Sequence, residues 1–137
     1  MTAFILDTGP LFAYLSENDA HHGWAVRQFA AIQGALLTCE PVLAEVSFLI
    51  SSRGAGLEGF WSFLRRGVIR VNFRLGAEFE SVAVLMRRYA DLSMDLADAC
   101  LVRLAEQNQD CRVLTTDSDF RIYRRFGRQT IPLVIPN

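Results

Sequence analysis

Apolar residues fall along this chain in two patterns. Short unbroken runs recur at Ala3–Leu6, Ala35–Thr38, Val68–Val71, Val113–Thr115 and Ile131–Ile135. Runs of that length read as strands buried on both faces. Between them the apolar positions take helical spacing. Pro10, preceded by Gly9, opens a short helix carrying Leu11, Phe12, Tyr14 and Leu15, which Ser16–Asp19 breaks. A second helix is predicted over His21–Ile32, with Trp24, Phe29 and Ile32 inward and Gly34 ending it. Glu40-Pro41 opens a third, whose Leu43, Val46 and Ile50 share a face. Leu57–Arg66 is rich in aromatics and closes at Gly67. Ala77–Ala90 puts Phe79, Val82, Leu85 and Met86 on one side, and Asp95–Asn108 follows, with Ser93 or Asp95 as its cap. Asp119–Arg125 reads as a short helical turn with a basic face, and Pro132 places the last strand at a sheet edge.

Strands alternating with helices predict an α/β fold, a parallel sheet covered on both faces. The length suits one domain spanning 1–137, with no repeat, linker or low-complexity stretch. The net charge of −1 excludes a molecule that binds nucleic acid by bulk charge alone. All 14 basic residues are Arg, which removes every mechanism needing a catalytic lysine. Cys39, Cys100 and Cys111 are scattered without a CxxC pair, so they read as buried thiols rather than a zinc site or disulfide framework. No apolar run approaches the ~20 residues that span a bilayer, and the N-terminus lacks the basic and apolar regions of a signal peptide. The expectation is a cytoplasmic protein without a membrane anchor.

Candidate chemistry starts at Asp7, which ends the first strand. Ligands of open α/β sheets bind at the carboxyl edge of the strands. Asp117 lies at that edge after the fourth strand. A crossover helix runs antiparallel to the strands, so its N-terminus returns there. Asp95 and Asp98 start one such helix, and Glu45 is early in another, where it interrupts an apolar stripe. Asp7, Glu45, Asp98 and Asp117 therefore meet at one point if strands one and four are neighbours. Taken singly, Asp95 reads as a helix cap, Asp98 suits the helix dipole, and Asp117 and Asp119 suit a turn.

Together, clustered carboxylates repel, and partial burial adds a desolvation cost. A divalent cation offsets both. Oxygen ligands without Cys or His favour a hard ion, Mg²⁺ or Mn²⁺, able to activate water against a phosphodiester. Arg121, Arg124, Arg125 and Arg128 follow directly, and the guanidinium fork suits backbone phosphates. Thr115 and Thr116 are candidates to orient a carboxylate or a metal-bound water. His21 and His22 lie in an early helix away from the acids and read as surface residues.

These residues resemble the PIN-domain ribonucleases, and among them the VapC toxins of VapBC toxin–antitoxin pairs. The resemblance spans nearly the whole chain. It is carried in order by Phe4-Ile5-Leu6-Asp7-Thr8-Gly9, Val42-Leu43-Ala44-Glu45-Val46, Leu96-Ala97-Asp98-Ala99 and Leu114-Thr115-Thr116-Asp117-Ser118-Asp119-Phe120. It implies a three-layer sandwich around a parallel sheet of about five strands in the order 3-2-1-4-5. It implies an acidic quartet of Asp7, Glu45, Asp98 and Asp117, with Asp7 and Asp98 as the firmest metal ligands and Thr115 in the polar position before the last acid. Asp95, Asp119 and Arg121 would support the set or touch RNA, and Asp95 is an extra acid beside Asp98 that is less typical. The implied activity is Mg²⁺- or Mn²⁺-dependent cleavage of RNA of the tRNA or ribosomal class. The implied partners are a second copy in a homodimer and a VapB-like antitoxin crossing the active site.

Rival readings meet specific obstacles. A haloacid-dehalogenase-type phosphatase needs a second Asp where Gly9 stands and a Lys that is absent, and a receiver domain lacks the same Lys. A Toprim-like site wants Glu after its first strand. A catalytically silent PIN-like binding module and a housekeeping PIN nuclease without an antitoxin remain as alternatives. Phe48, Phe60 and Trp61 are read either as an apolar groove for a partner helix or as core.

Overall fold

A computed structural model describes residues 1–137. Its centre is β1 (Ala3–Leu6), flanked by β2 (Leu36–Leu37) and β4 (Cys111–Leu114). β3 (Ile69–Arg70) continues the sheet beyond β2, and β7 (Leu133–Val134) beyond β4. All four pairings are parallel, and the order is β3-β2-β1-β4-β7. This is the expected arrangement, with the edge strand as its fifth member. The register sets Leu6 opposite Leu114, so Asp7 and Thr115 emerge side by side.

Six helices flank the sheet: α1 (Thr8–Leu15), α2 (His22–Ala31), α3 (Glu40–Ser52), α4 (Glu58–Arg65), α5 (Leu75–Arg88) and α6 (Leu96–Gln107). α6 lies against β1 and β4. Its buried side chains include Ala97, Ala99, Cys100 and Ala105, whose small size lets the helix approach closely. Asp95 caps α6 with a reciprocal box: its carboxylate accepts from the Asp98 amide at 2.8 Å. Ser93 instead takes a left-handed conformation at φ 54°.

The core joins Ile5, Leu6, Leu11, Val46, Leu101 and Leu114 with the neighbouring aliphatics. All three cysteines are buried and free, as read from their spacing. No helix is long and apolar enough to cross a membrane.

Three expectations change. Phe79 faces solvent, because α5 buries only Val82 and Leu85 deeply. In α2 only Ala25 is fully buried, and Trp24, Phe29 and Ile32 are half-covered. The turn after Asp117 is shorter than read: a 3₁₀ turn over Ser118–Arg121 gives way to a hairpin of β5 (Arg124–Arg125) and β6 (Gln129–Thr130). Its turn passes through Phe126 and Gly127, both at positive φ. Within this hairpin the side chain of Arg125 packs into the end of α6. Only 8% exposed, its Nη1 donates to the carbonyls of Ala105 and Gln109 at 3.2 and 2.9 Å.

Candidate active site

The carboxyl edge of the sheet is where chain direction turns carboxylates outward. Asp7 leaves β1 as the N-cap of α1, and its Oδ1 accepts the amide of Thr8 at 2.7 Å. Its Oδ2 accepts the hydroxyl of Thr115 at 2.6 Å. The same hydroxyl oxygen accepts the amide of Asp117 at 2.9 Å, so Thr115 ties the first acid to the loop of the fourth. Asp117 in turn accepts the amide of Asp119 at 2.9 Å. Glu45 reaches the edge from the second turn of α3, where the hydroxyl of Thr8 donates to its Oε2 at 3.2 Å. Asp98 sits in the first turn of α6 and accepts the hydroxyl of Tyr123 at 3.1 Å.

Asp7 and Gly9 show why this corner has these residues. Asp7 is 6% exposed, so its charge is held by donors rather than by water. A Cβ at Gly9 would collide with the Thr116 hydroxyl, which lets α1 and the loop after β4 close on each other.

Electrostatics link the acids into one set. Burial pushes the Asp7 carboxyl up to about 6; bonds from Thr115 and Thr8 oppose the rise, and Asp117 and Glu45 add to it. Burial raises Asp98 to about 7, reinforced by the charges of Asp95 and Asp7. Glu45 is also raised, by burial and then by Asp95. Burial and the charge of Asp98 hold the Tyr123 phenol above its ordinary range, so it stays a donor.

The protein's two ion pairs both belong to Arg103, so no arginine neutralises Asp7, Glu45, Asp98 or Asp117. Oxygen donors, one buried and three half-buried, without a cationic side chain, fit a hard divalent cation. The four acids line the edge, but no three of them close onto a single point, so they meet less tightly than their places along the chain predict.

The surrounding candidates divide. Asp95 stands beside Glu45 while capping α6. Asp119 lends its amide to Asp117. Arg121 and Arg128 are exposed. Arg125 is withdrawn from any phosphate role because it is buried in the end of α6, whereas half-buried Arg124 turns its Nη1 to the carbonyls of Arg121, Ile122 and Tyr123. His22 is half-buried, its Nδ1 held 2.7 Å from the carbonyl of Ala13, and takes no place among the acids.

Of the aromatic trio, Phe60 is core, whereas Phe48 and Trp61 are 70% and 46% exposed. Trp61 lines a groove of about 320 Å³ between α3 and α4 together with Leu43, Leu57 and Leu64.

Three positioning groups were missed. Thr38, at the end of β2, donates to the carbonyl of Leu6 at 2.8 Å and braces the strand end that presents Asp7. Its place after the second strand mirrors that of Thr115 after the fourth, a readable signal. Thr8 was readable as the neighbour of Asp7. Tyr123 had no sequence signal, because only the fold brings it to Asp98.

Known proteins resemble this chain in sequence and in fold. Ribonuclease VapC26 of Mycobacterium tuberculosis is 28% identical over 116 residues, covering 82% of this chain and 85% of that protein. The crystal structure of Mycobacterium tuberculosis VapC20, a sarcin-ricin loop cleaving toxin, superposes with a TM-score of 0.77 at 22% identity, over 92% of this chain and 98% of that one. VapBC2 from Rickettsia felis, bound to a DNA fragment from its promoter, has a TM-score of 0.64 at 11% identity, over 99% and 100% of the two chains. The sequence model of the PIN domain matches residues 4–125, from β1 through the hairpin strand that buries Arg125. The chain belongs to the PIN-domain family.

Proposed function

We propose that this protein is a cytoplasmic, Mg²⁺- or Mn²⁺-dependent endoribonuclease, the toxin of a type II toxin–antitoxin pair. The observation that carries the reading is the set of linked carboxylates with no cationic partner around the end of β1. The ribonuclease name of the VapC26 relative supports the substrate class.

Asp7 and Asp98 would hold the cation, with Glu45 and Asp117 at its flanks. When bound, a divalent ion lowers the pKa of water and stabilises charge on a phosphodiester. The chain's own groups do the remaining work. Thr115 fixes the Asp7 carboxylate and the Asp117 loop with one hydroxyl. Glu45 is half-buried, and burial with the nearby Asp95 raises its carboxyl, which suits it to accept a proton. Arg121, exposed two residues beyond Asp119, is placed to meet the RNA backbone.

The likeness to VapC proteins supports a VapB-like antitoxin as partner and a homodimer as the assembled state. The groove between α3 and α4 adds an apolar face for an antitoxin helix, with Trp61 along it.

Purified protein with Mn²⁺ should cleave single-stranded or looped RNA, and chelation should stop it. Asp98→Asn should keep the fold and abolish cleavage. If total RNA stays intact with Mn²⁺ and Asp98→Asn changes nothing, the enzyme reading fails and the silent binding module replaces it.

A further inference from the structure

Tyr123 is completely buried, yet it carries a hydroxyl. A buried hydroxyl costs free energy unless it finds a partner. Its partner is Asp98 Oδ2, at 3.1 Å. That oxygen has one other donor, the amide of Asp95, at a long 3.5 Å. Asp98 Oδ1 receives no donor from the chain, so the phenol commits one oxygen and leaves the other free.

The ring itself is held firmly. Tyr89 and Phe120 pack edge-on against Tyr123, with centroids 5.1 and 5.0 Å away. The Tyr89 hydroxyl accepts the amide of Arg124 at 2.9 Å, which pins the backbone next to Tyr123. Packing alone would be met by Phe at position 123. The hydroxyl adds only the contact to Asp98.

We propose that Tyr123 is a positioning residue: it orients the Asp98 carboxylate so that Oδ1 is presented to the cation. The proposal rests on the metal-dependent reading above. It predicts an effect on metal affinity that packing would not produce.

The test compares Tyr123→Phe with Tyr89→Phe, which removes a hydroxyl from the same aromatic cluster but touches no acid. Binding of Mn²⁺ to metal-stripped protein is read directly from the electron paramagnetic resonance of the free ion. RNA cleavage is measured alongside. Tyr123→Phe should weaken Mn²⁺ binding by about tenfold or more, in the range for losing a group that orients a ligand. It should lower kcat and leave the KM for RNA unchanged, while Tyr89→Phe should bind Mn²⁺ as the parent does.

Equal Mn²⁺ binding by Tyr123→Phe and the parent overturns the proposal. So does equal weakening by both variants, which would make the effect general to the cluster. A Tyr123→Phe chain that does not fold overturns it as well, since the hydroxyl would then serve the fold. A parent protein that binds no Mn²⁺ defeats the metal reading itself, a result separate from the other three.

Discussion

Thr115 donates its hydroxyl to Asp7 Oδ2 at 2.6 Å, across the junction of two neighbouring parallel strands. Both residues are buried, and the same hydroxyl accepts the amide of Asp117. One side chain thus sets the positions of two acids more than a hundred residues apart in sequence. Thr115→Val keeps the shape and removes both bonds. We expect it to lower the rate of RNA cleavage about 10–100-fold, the usual range for losing a group that orients a ligand. Cleavage assays with a melt in parallel check this; an unchanged rate in a folded variant would deny Thr115 that role.

Asp7 and Asp98 set the pH response. Both are raised from 3.8, to about 6 and about 7. Between those values the folded state binds more protons than the unfolded state, so stability falls as pH rises. Their stabilising contribution is fully present below about pH 4 and is lost as pH climbs through about 6 for Asp7 and about 7 for Asp98. Metal-stripped protein should therefore melt lower at pH 8 than acid-range trends of the other groups alone would give. Asp98→Asn, which removes one of these charges, should raise the melting temperature at pH 8 and have little effect at pH 5. Added Mn²⁺ should stabilise the parent more at pH 8 than at pH 5, because it competes with the protons. A calorimetric melt at both pH values decides; a metal-stripped Asp98→Asn that melts below its parent at pH 8 contradicts the account.

Two arginines close together in sequence should behave in opposite ways. Arg125 satisfies carbonyls at the end of α6 from a buried position. Arg125→Ala removes that shared donor from the end of α6 and should cost about 1–3 kcal/mol of stability. Cleavage per folded molecule should hold. Arg121 is exposed, so Arg121→Ala should change stability by less than about 0.5 kcal/mol. It should weaken RNA binding and flatten its salt dependence. Denaturant titration and RNA binding at two salt concentrations separate the pair.

Trp61 and Phe48 test the partner surface. Both are exposed, so replacing either by Ala should leave the fold intact. Trp61→Ala should weaken binding of a VapB-like antitoxin about tenfold or more, the loss expected for truncating an aromatic anchor. Titration calorimetry with the antitoxin measures it. Unchanged affinity for both variants would move the partner off this groove.

The order of elements was legible because each pattern is local. Four residues of Ala3–Leu6 show a buried strand, and Asp95 with Asp98 shows a helix start. The acids at the carboxyl edge followed from topology, once β1 and β4 were taken as neighbours. The basic face of Asp119–Arg125 misled, because residues adjacent in sequence point to different environments when a hairpin intervenes. Phe79 misled for a related reason: helical spacing shows that positions share a face, and only packing shows how wide that face is.

The sequence by itself determined the five strands of the main sheet, the helices between them and the acids at the end of the strands. These rest on backbone preference and on charge, which act over a few residues. Tertiary structure alone decided that Tyr123 serves Asp98, that Arg125 belongs to α6, and that Thr38 braces the strand ending in Asp7. Those pairings lie across the fold, where contact depends on register and packing rather than on any neighbour in the chain.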